Sequence, residues 1–264
     1  MNPAASNPIQ YHLVTPGQFK QQSGEAIVEA PVTLTVNGEV WLTLMCTPDN
    51  LDALAVGFLF NEGVIASKDE VADLRVCPAL DNVDVWLTHN ARRPERWSRT
   101  SGCTGGMTDA AILEQYSQGI PAVSSGETFE AQQISRLVGR LFEAQELYRQ
   151  TGGVHSSAIS DGSRLYLVAE DVGRHNTLDK LAGRLLLEDL NPQPRLIITT
   201  GRISSDMLQK AVRIRTAVIV SRTAPTSLSI ELAKKWQVTL IGYARRDRFS
   251  IYTHPERIVV DQRP

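Results

Sequence analysis

Cysteine is scarce in this chain: three residues in 264, at Cys46, Cys77 and Cys103. An odd count at scattered spacings is not a disulfide framework, and it points to a reducing, cytoplasmic setting. A surplus of one charge sign is also missing. The formal net charge is −2, so no global basic field is available to hold nucleic acid or a membrane surface. No apolar run approaches the ~18 residues that a membrane span requires. The first residues, MNPAASNPIQYHLVTPGQ, lack a basic patch followed by an apolar core. They read as a loose arm and not as a signal peptide. Internal repeats and low-complexity tracts are absent as well. With 42% hydrophobic and 21% charged residues, what remains is an ordinary globular chain. It is long enough to bury a core as one large domain or two moderate ones.

Two textures follow one another along the sequence. In VTLTVNGEVWLTL, Val32, Leu34 and Val36 alternate, Asn37-Gly38 turns the chain, and Val40, Leu42 and Leu44 alternate again. That is a β-hairpin pattern. TPDNLDALAVGFLFNEG then predicts a helix, with Thr47 as N-cap, Pro48 in the first turn and Gly63 as the stop. Its apolar stripe is Leu51, Leu54, Ala55, Phe58 and Leu59. NVDVWLTH predicts another strand. Residues 1–112 are therefore read as a small N-terminal α+β domain that ends in the loop around Cys103. Residues 113–264 change character. After a helix in QQISRLVGRLFEAQELYRQTGG, strands in SRLYLVAE, RLIITT, TAVIVS and VTLIGYA alternate with helices in RHNTLDKLAGRLLLEDL, SSDMLQKAVRI and PTSLSIELAKKW. FSIYTHP adds an edge strand. Such alternation predicts an α/β domain with a mostly parallel sheet.

Ligands of open α/β sheets bind beyond the carboxyl ends of the strands. Here those ends read EDVGRHN, GRISSD, RTAPTS and RRDR. They carry Arg174, Arg202, Arg222, Arg245, Arg246 and Arg248, six guanidiniums in a chain of net negative charge. Small hydroxyl residues that open the following helices add anion-seeking N–H groups. Guanidinium forks match phosphate oxygens at two points. The set predicts a pocket for a phosphorylated or multiply anionic ligand, against the plainer reading of solvated loop charges. Phosphate loops of the form G-x-x-x-x-G-K-[ST] or G-x-G-x-x-G are absent, so arginines and helix ends must do the holding. His155, in TGGVHSS, and His175 lie at the same edge. The zinc deaminase pattern H-x-E with P-C-x-x-C is missing, and no metal is expected.

Cys103 sits in RTSGCTGGMTD. Arg99 lies four residues before it, and a helix start soon follows. Both features favour a thiolate. The glycines around it give the loop freedom to move the sulfur or to approach a ligand. Cys46 and Cys77 lie in or beside apolar strand-like segments and read as buried and inert.

RTSGCTGG, GGVHSSAI, EDVGRHNTLDKLAGR, TTGRISSDMLQKA, SRTAPTSLSIELA and TLIGYARRDRFSIYTHPERI resemble the successive signatures of the FdhD family. These are sulfur-carrier accessory proteins of formate dehydrogenases. The resemblance runs from about residue 30 to residue 260. It implies a homodimer whose larger domain has a cytidine deaminase-like fold without the zinc chemistry. It implies that Cys103 accepts persulfide sulfur from a cysteine desulfurase. The sulfur then passes to the molybdenum cofactor in its bis(molybdopterin guanine dinucleotide) form, which enters formate dehydrogenase. The family's cofactor segment maps onto Tyr243, Ala244, Arg245, Arg246, Asp247 and Arg248. Many members carry Cys-x-x-Cys in the loop, whereas this chain has Gly106 at the second position. Two alternatives stay open: a cofactor-binding chaperone in which Cys103 is dispensable, and a hydrolase with Cys103 as nucleophile and His155 or His175 as base.

Overall fold

The computed structural model describes residues 5–93 and 126–260. Cys103, Arg99, Gly106 and the expected boundary at 112/113 lie outside them.

The first described element corrects the loose arm. Strands β1 (Ser6–Thr15) and β2 (Gln18–Ile27) form an antiparallel hairpin that turns at Pro16-Gly17, with Gly17 at φ +77°. The alternation of Ile9, Tyr11 and Leu13 was a strand signal. It was hidden because the hairpin stands off the core and leaves these side chains and Phe19 exposed. Its base is tied down by Val28 N–H, which donates to the Ala5 carbonyl at 2.9 Å.

Strands β3 (Ala30–Val36) and β4 (Glu39–Cys46) form the expected hairpin, with Asn37 and Gly38 both at positive φ. Helix α1 (Leu51–Asn61) follows, then β5 (Val71–Val76) and β6 (Asn82–Leu87), giving a sheet of order β4-β3-β6-β5. The helix begins later than the sequence predicts. Asn50 is its N-cap, in a left-handed conformation and without a side-chain capping bond. Thr47 is fully buried and bonded elsewhere. Gly63, at φ +75°, ends the helix as expected. The predicted stripe is buried, and so are Ala53, Val56 and Gly57. The helix is enclosed on nearly all sides because a second layer covers the face turned away from its own sheet.

That layer belongs to the α/β unit. Its elements are β7 (Phe129–Glu130), α2 (Ala131–Ala144), α3 (Leu147–Thr151), β8 (His155–Ser160), β9 (Leu165–Asp171), α4 (Arg174–Leu187), β10 (Leu196–Thr199), α5 (Ser205–Arg213), β11 (Val218–Ser221), α6 (Ser227–Lys235), β12 (Thr239–Gly242), β13 (Ser250–Thr253) and β14 (Ile258–Val259). The six-stranded sheet has order β13-β12-β11-β10-β8-β9. Strands β10, β11 and β12 pair in parallel, and β9 shares their direction because β8 is antiparallel to both of its neighbours. The edge strand β13 is present and antiparallel. Within this sheet the unforeseen strand is β8, whose sequence HSSAIS is too rich in serine to read as apolar. Helices α4, α5 and α6 pack on one face through Leu178, Leu181, Met207 and Leu232. Helix α2 covers the other face through Ile134, Leu137, Val138 and Leu141. Strand β10 is buried on both faces, which explains its unbroken apolar run.

The two units meet where α1 crosses α4. A Cβ on Gly57 would lie 1.8 Å from the Asp179 carbonyl oxygen, and one on Gly183 would lie 1.9 Å from that of Ala53. Only glycine permits this approach. Gly183→Ala is expected to lower stability by at least about 2–3 kcal/mol by forcing the helices apart. Gly139→Ala, on α2 where an added Cβ meets nothing within 4 Å, is expected to raise it by about 0.5–1 kcal/mol. Urea unfolding of the two variants checks both signs.

Candidate functional site

Because β9, β10 and β11 share one direction, each delivers its following helix at the same edge of the sheet. Helix α4 starts after Gly173, α5 after Ser204 and α6 after Thr226. The two hydroxyls cap their helices, with Ser204 Oγ accepting from Met207 N at 3.4 Å and Thr226 Oγ1 from Ser229 N at 3.2 Å. The loops are stitched together: Ile203 N–H donates to the Ala224 carbonyl at 3.3 Å, and Thr226 N–H to the Ile203 carbonyl at 3.0 Å. A buried hydroxyl chain supports the edge from below. Ser157 Oγ lies 2.7 Å from Thr177 Oγ1 and 2.8 Å from Thr199 Oγ1.

Several polar residues at this edge turn out to be scaffold. Asp171, fully buried, pairs with Lys180 at 2.7 Å. Its carboxylate also accepts from Thr47 N at 3.1 Å, Gly173 N at 2.8 Å and Asn176 Nδ2 at 2.8 Å. Glu170 accepts from the N–H groups of Glu146, Leu147 and Tyr148 at the start of α3, and from Ser156 Oγ. Beside this lattice, burial and the Asp171 charge push the Cys46 thiol up to about 12, against the pull of Lys180. Cys46 is thus a buried, protonated thiol, as the sequence implies. Cys77 is partly exposed.

The remaining candidates fall into two neighbourhoods. His155, Arg174, His175 and Arg202 share the first. His155 opens β8, which runs against β10, so its ring reaches Thr200 Oγ1 at 3.4 Å. His175 Nε2 lies 3.5 Å from Ser204 Oγ. The Arg174 side chain lies over Gly201, where an added Cβ would meet it at 2.9 Å. Burial and the Arg202 guanidinium lower the Arg174 pKa, with Asp206 opposing. Burial, then Arg174, lowers that of His155. Burial, then Arg174, Lys210 and His155, push His175 down to about 3. Burial first, and the cationic charge concentrated here second, hold both imidazoles toward the neutral form. Arg174 opens α4 at the positive end of its dipole, where cations are disfavoured. An anionic ligand relieves both costs. Asp206 was missed in the sequence, although it follows the flagged Ser204 and Ser205.

Arg222, Arg245, Arg246 and Asp247 make the second neighbourhood, toward α2. The Arg222 guanidinium stacks on Phe142 at 4.3 Å. Arg245 Nη1 donates to the Arg222 carbonyl at 2.8 Å, and Arg245 N–H to the Arg248 carbonyl at 2.8 Å. Arg246 and Asp247 line a cavity of about 760 Å³ with Phe249, Arg136 and Arg140. The last two arginines recur four residues apart on the polar face of α2, a spacing that could have flagged them. Tyr243 is exposed at φ +51°, whereas Ala244 is fully buried, its N–H bonded to the Ser221 carbonyl at 3.0 Å. Ala244 therefore anchors the segment from inside.

The depressed His175 pKa sets a pH dependence. Above the ordinary value of about 6.5, folded and unfolded chains both hold it neutral. As pH falls from there toward 3, only the unfolded chain takes the proton, so its contribution declines by about 1.4 kcal/mol per pH unit. The raised pKa values of Glu62, Asp179 and Asp206 act with the opposite sign. The His175→Asn variant isolates the histidine. Its stability relative to the parent is expected to rise by about 2 kcal/mol between pH 7 and pH 5 in urea unfolding. An unchanged difference would show that His175 titrates normally.

Known proteins match this chain over most of its length. The FdhD/NarQ family model covers residues 27–259. A Bacillus pumilus protein named sulfur carrier protein FdhD is 33% identical over 261 residues, 98% of this chain and 99% of its own length. A Bacillus licheniformis protein of the same name is 36% identical over 244 residues, 92% and 93% of the two chains. The crystal structure of a proposed formate dehydrogenase accessory protein from Desulfotalea psychrophila superposes with a TM-score of 0.79 at 29% identity, covering 97% of this chain and all of that one. With the fold, the cationic sheet edge and a family match that spans both units, the chain belongs to the FdhD/NarQ family.

Proposed function

We propose that this protein is a sulfur carrier that serves formate dehydrogenase, with Cys103 as the carrier and the molybdenum cofactor as the recipient. The observation that supports it most is the convergence of Arg174 and Arg202 with three helix N-termini at one sheet edge, in a chain matched to this family across the Cys103 segment. A bis(molybdopterin guanine dinucleotide) ligand carries several phosphates on two long arms. The two cationic neighbourhoods suit such a ligand better than a single phosphate.

The chemistry needs one thiol. The Cys103 thiolate attacks the outer sulfur of a persulfide on a cysteine desulfurase, the desulfurase thiolate leaves, and Cys103 becomes the persulfide. Its outer sulfur then passes to the cofactor as the S–S bond breaks: Cys103 leaves as thiolate, and the recipient would supply the two electrons that take the transferred sulfur to the sulfide level. Gly106 removes a loop partner that could release the sulfur early by forming a disulfide. His155 and His175, neutral and engaged with Thr200 and Ser204, accept or donate hydrogen bonds without adding charge.

Cys103→Ser is expected to abolish formate dehydrogenase maturation in a complementation assay. Intact-mass analysis after incubation with desulfurase and cysteine should place the added sulfur on Cys103. Full activity of the variant favours the chaperone reading instead. GDP, as a fragment of the ligand, is expected to bind the parent weakly, and Arg248→Ala to weaken it several-fold by calorimetry. Absence of any GDP heat would count against the 243–248 segment as the nucleotide site.

A further inference from the structure

At the opposite end of the sheet, where β10 and β11 begin, a second cavity of about 370 Å³ opens between the two units. Lys68, Arg195, Arg213 and Arg215 line it, against only Asp69 and Asp189. Lys68 pairs with Asp189. Among the described residues, none of the three arginines forms an ion pair with a carboxylate.

Arg195 is 7% exposed and contacts only neutral acceptors, the Ile214 carbonyl and Asn191 Oδ1. Arg213 reaches the Phe60 carbonyl at 3.4 Å, and its guanidinium lies against Gly63, whose missing side chain makes the room. The Nε atoms of both arginines are enclosed without an acceptor. Burial, then the neighbouring Arg215, drags Arg195 down to about 10. A buried guanidinium without a carboxylate partner, as at Arg195, is costly, and a bound anion removes that cost. Arg213 is partly buried, with the Glu62 charge acting on it, and Arg215 is exposed. Phe60, Leu186 and Leu190 also line the cavity and give it apolar surface.

We infer that this cavity is a binding site for a small phosphomonoester with an apolar body, its phosphate held by Arg195, Arg213 and Arg215. The site is separate from the cationic edge described above and does not depend on the proposed sulfur transfer. Lys68 and its neighbours come from the N-terminal unit and the arginines from the α/β unit. A ligand here therefore clamps the two units together and stabilises the folded chain by mass action.

Calorimetry of the full chain with phenyl phosphate and with inorganic phosphate tests this. Phenyl phosphate is expected to bind saturably, tighter than inorganic phosphate, and to raise the melting temperature. Arg213→Gln and the exposed Arg215→Gln should each weaken it about tenfold, with Arg248→Ala neutral. Far-UV circular dichroism confirms that the variants fold, and Arg215→Gln carries the test if Arg213→Gln does not. No saturable heat, or binding lost in Arg248→Ala but kept in Arg215→Gln, overturns the site. Equal affinity for the two probes overturns the apolar-body assignment.

Discussion

The architecture hangs on a buried carboxylate. Asp171 ends β9 and gathers Lys180 and Asn176 from α4, the Thr47 N–H from the N-terminal unit, and Gly173 from the loop between strand and helix. Lys180 in turn donates to the carbonyls of Thr47 and Glu170. Separating such a pair by removing one partner typically costs about 3–5 kcal/mol, because the other charge stays buried. This lattice therefore fixes two things at once. It seats the N-terminal unit on α4, and it sets the turn that presents Arg174 and His175. A second buried pair, Lys210 with Asp179 at 2.6 Å, with Asn61 from α1 on the same carboxylate, repeats the device at the adjacent residue of α4.

With the turn fixed, the rest of the edge follows from strand direction. Strands that run the same way end together, so the loops carrying Arg202 and Arg222 join the one carrying Arg174. Their backbone is held by cross-loop hydrogen bonds, so the positions from which the guanidiniums project are set before any ligand arrives. The division into a histidine-flanked group on the α4–α5 side and an arginine–aromatic group on the α2 side comes from the sheet separating the two helical layers.

Much of this was legible from residue order. The Asn37-Gly38 hairpin, the alternation of strands and helices after residue 155, and the arginine after each strand are local patterns that local physics enforces. The errors have physical reasons. Thr47 looks like a helix cap, but a tertiary carboxylate binds its N–H. HSSAIS looks like a loop, yet its serines are satisfied inside the fold: Ser156 by Gln145 and Glu170, Ser157 by Thr177 and Thr199, and Ser160 by the Arg164 carbonyl. Glu170 and Asp171 look like site acids, yet their charges are spent on a helix start and a buried lysine. The β1–β2 hairpin escaped notice because it contributes little to the core.

The sequence by itself determined the fold class and the family, and it singled out Cys103 as the candidate carrier, because periodicity, turn residues and contiguous motifs are encoded along the chain. Only the tertiary structure decided which polar residues face the ligand edge and which hold the two units together. It also decided that Arg195, Arg213 and Arg215, unremarked in the sequence, converge at the far end. Convergence of residues distant in sequence depends on strand direction and helix crossing, and a linear pattern carries no record of either.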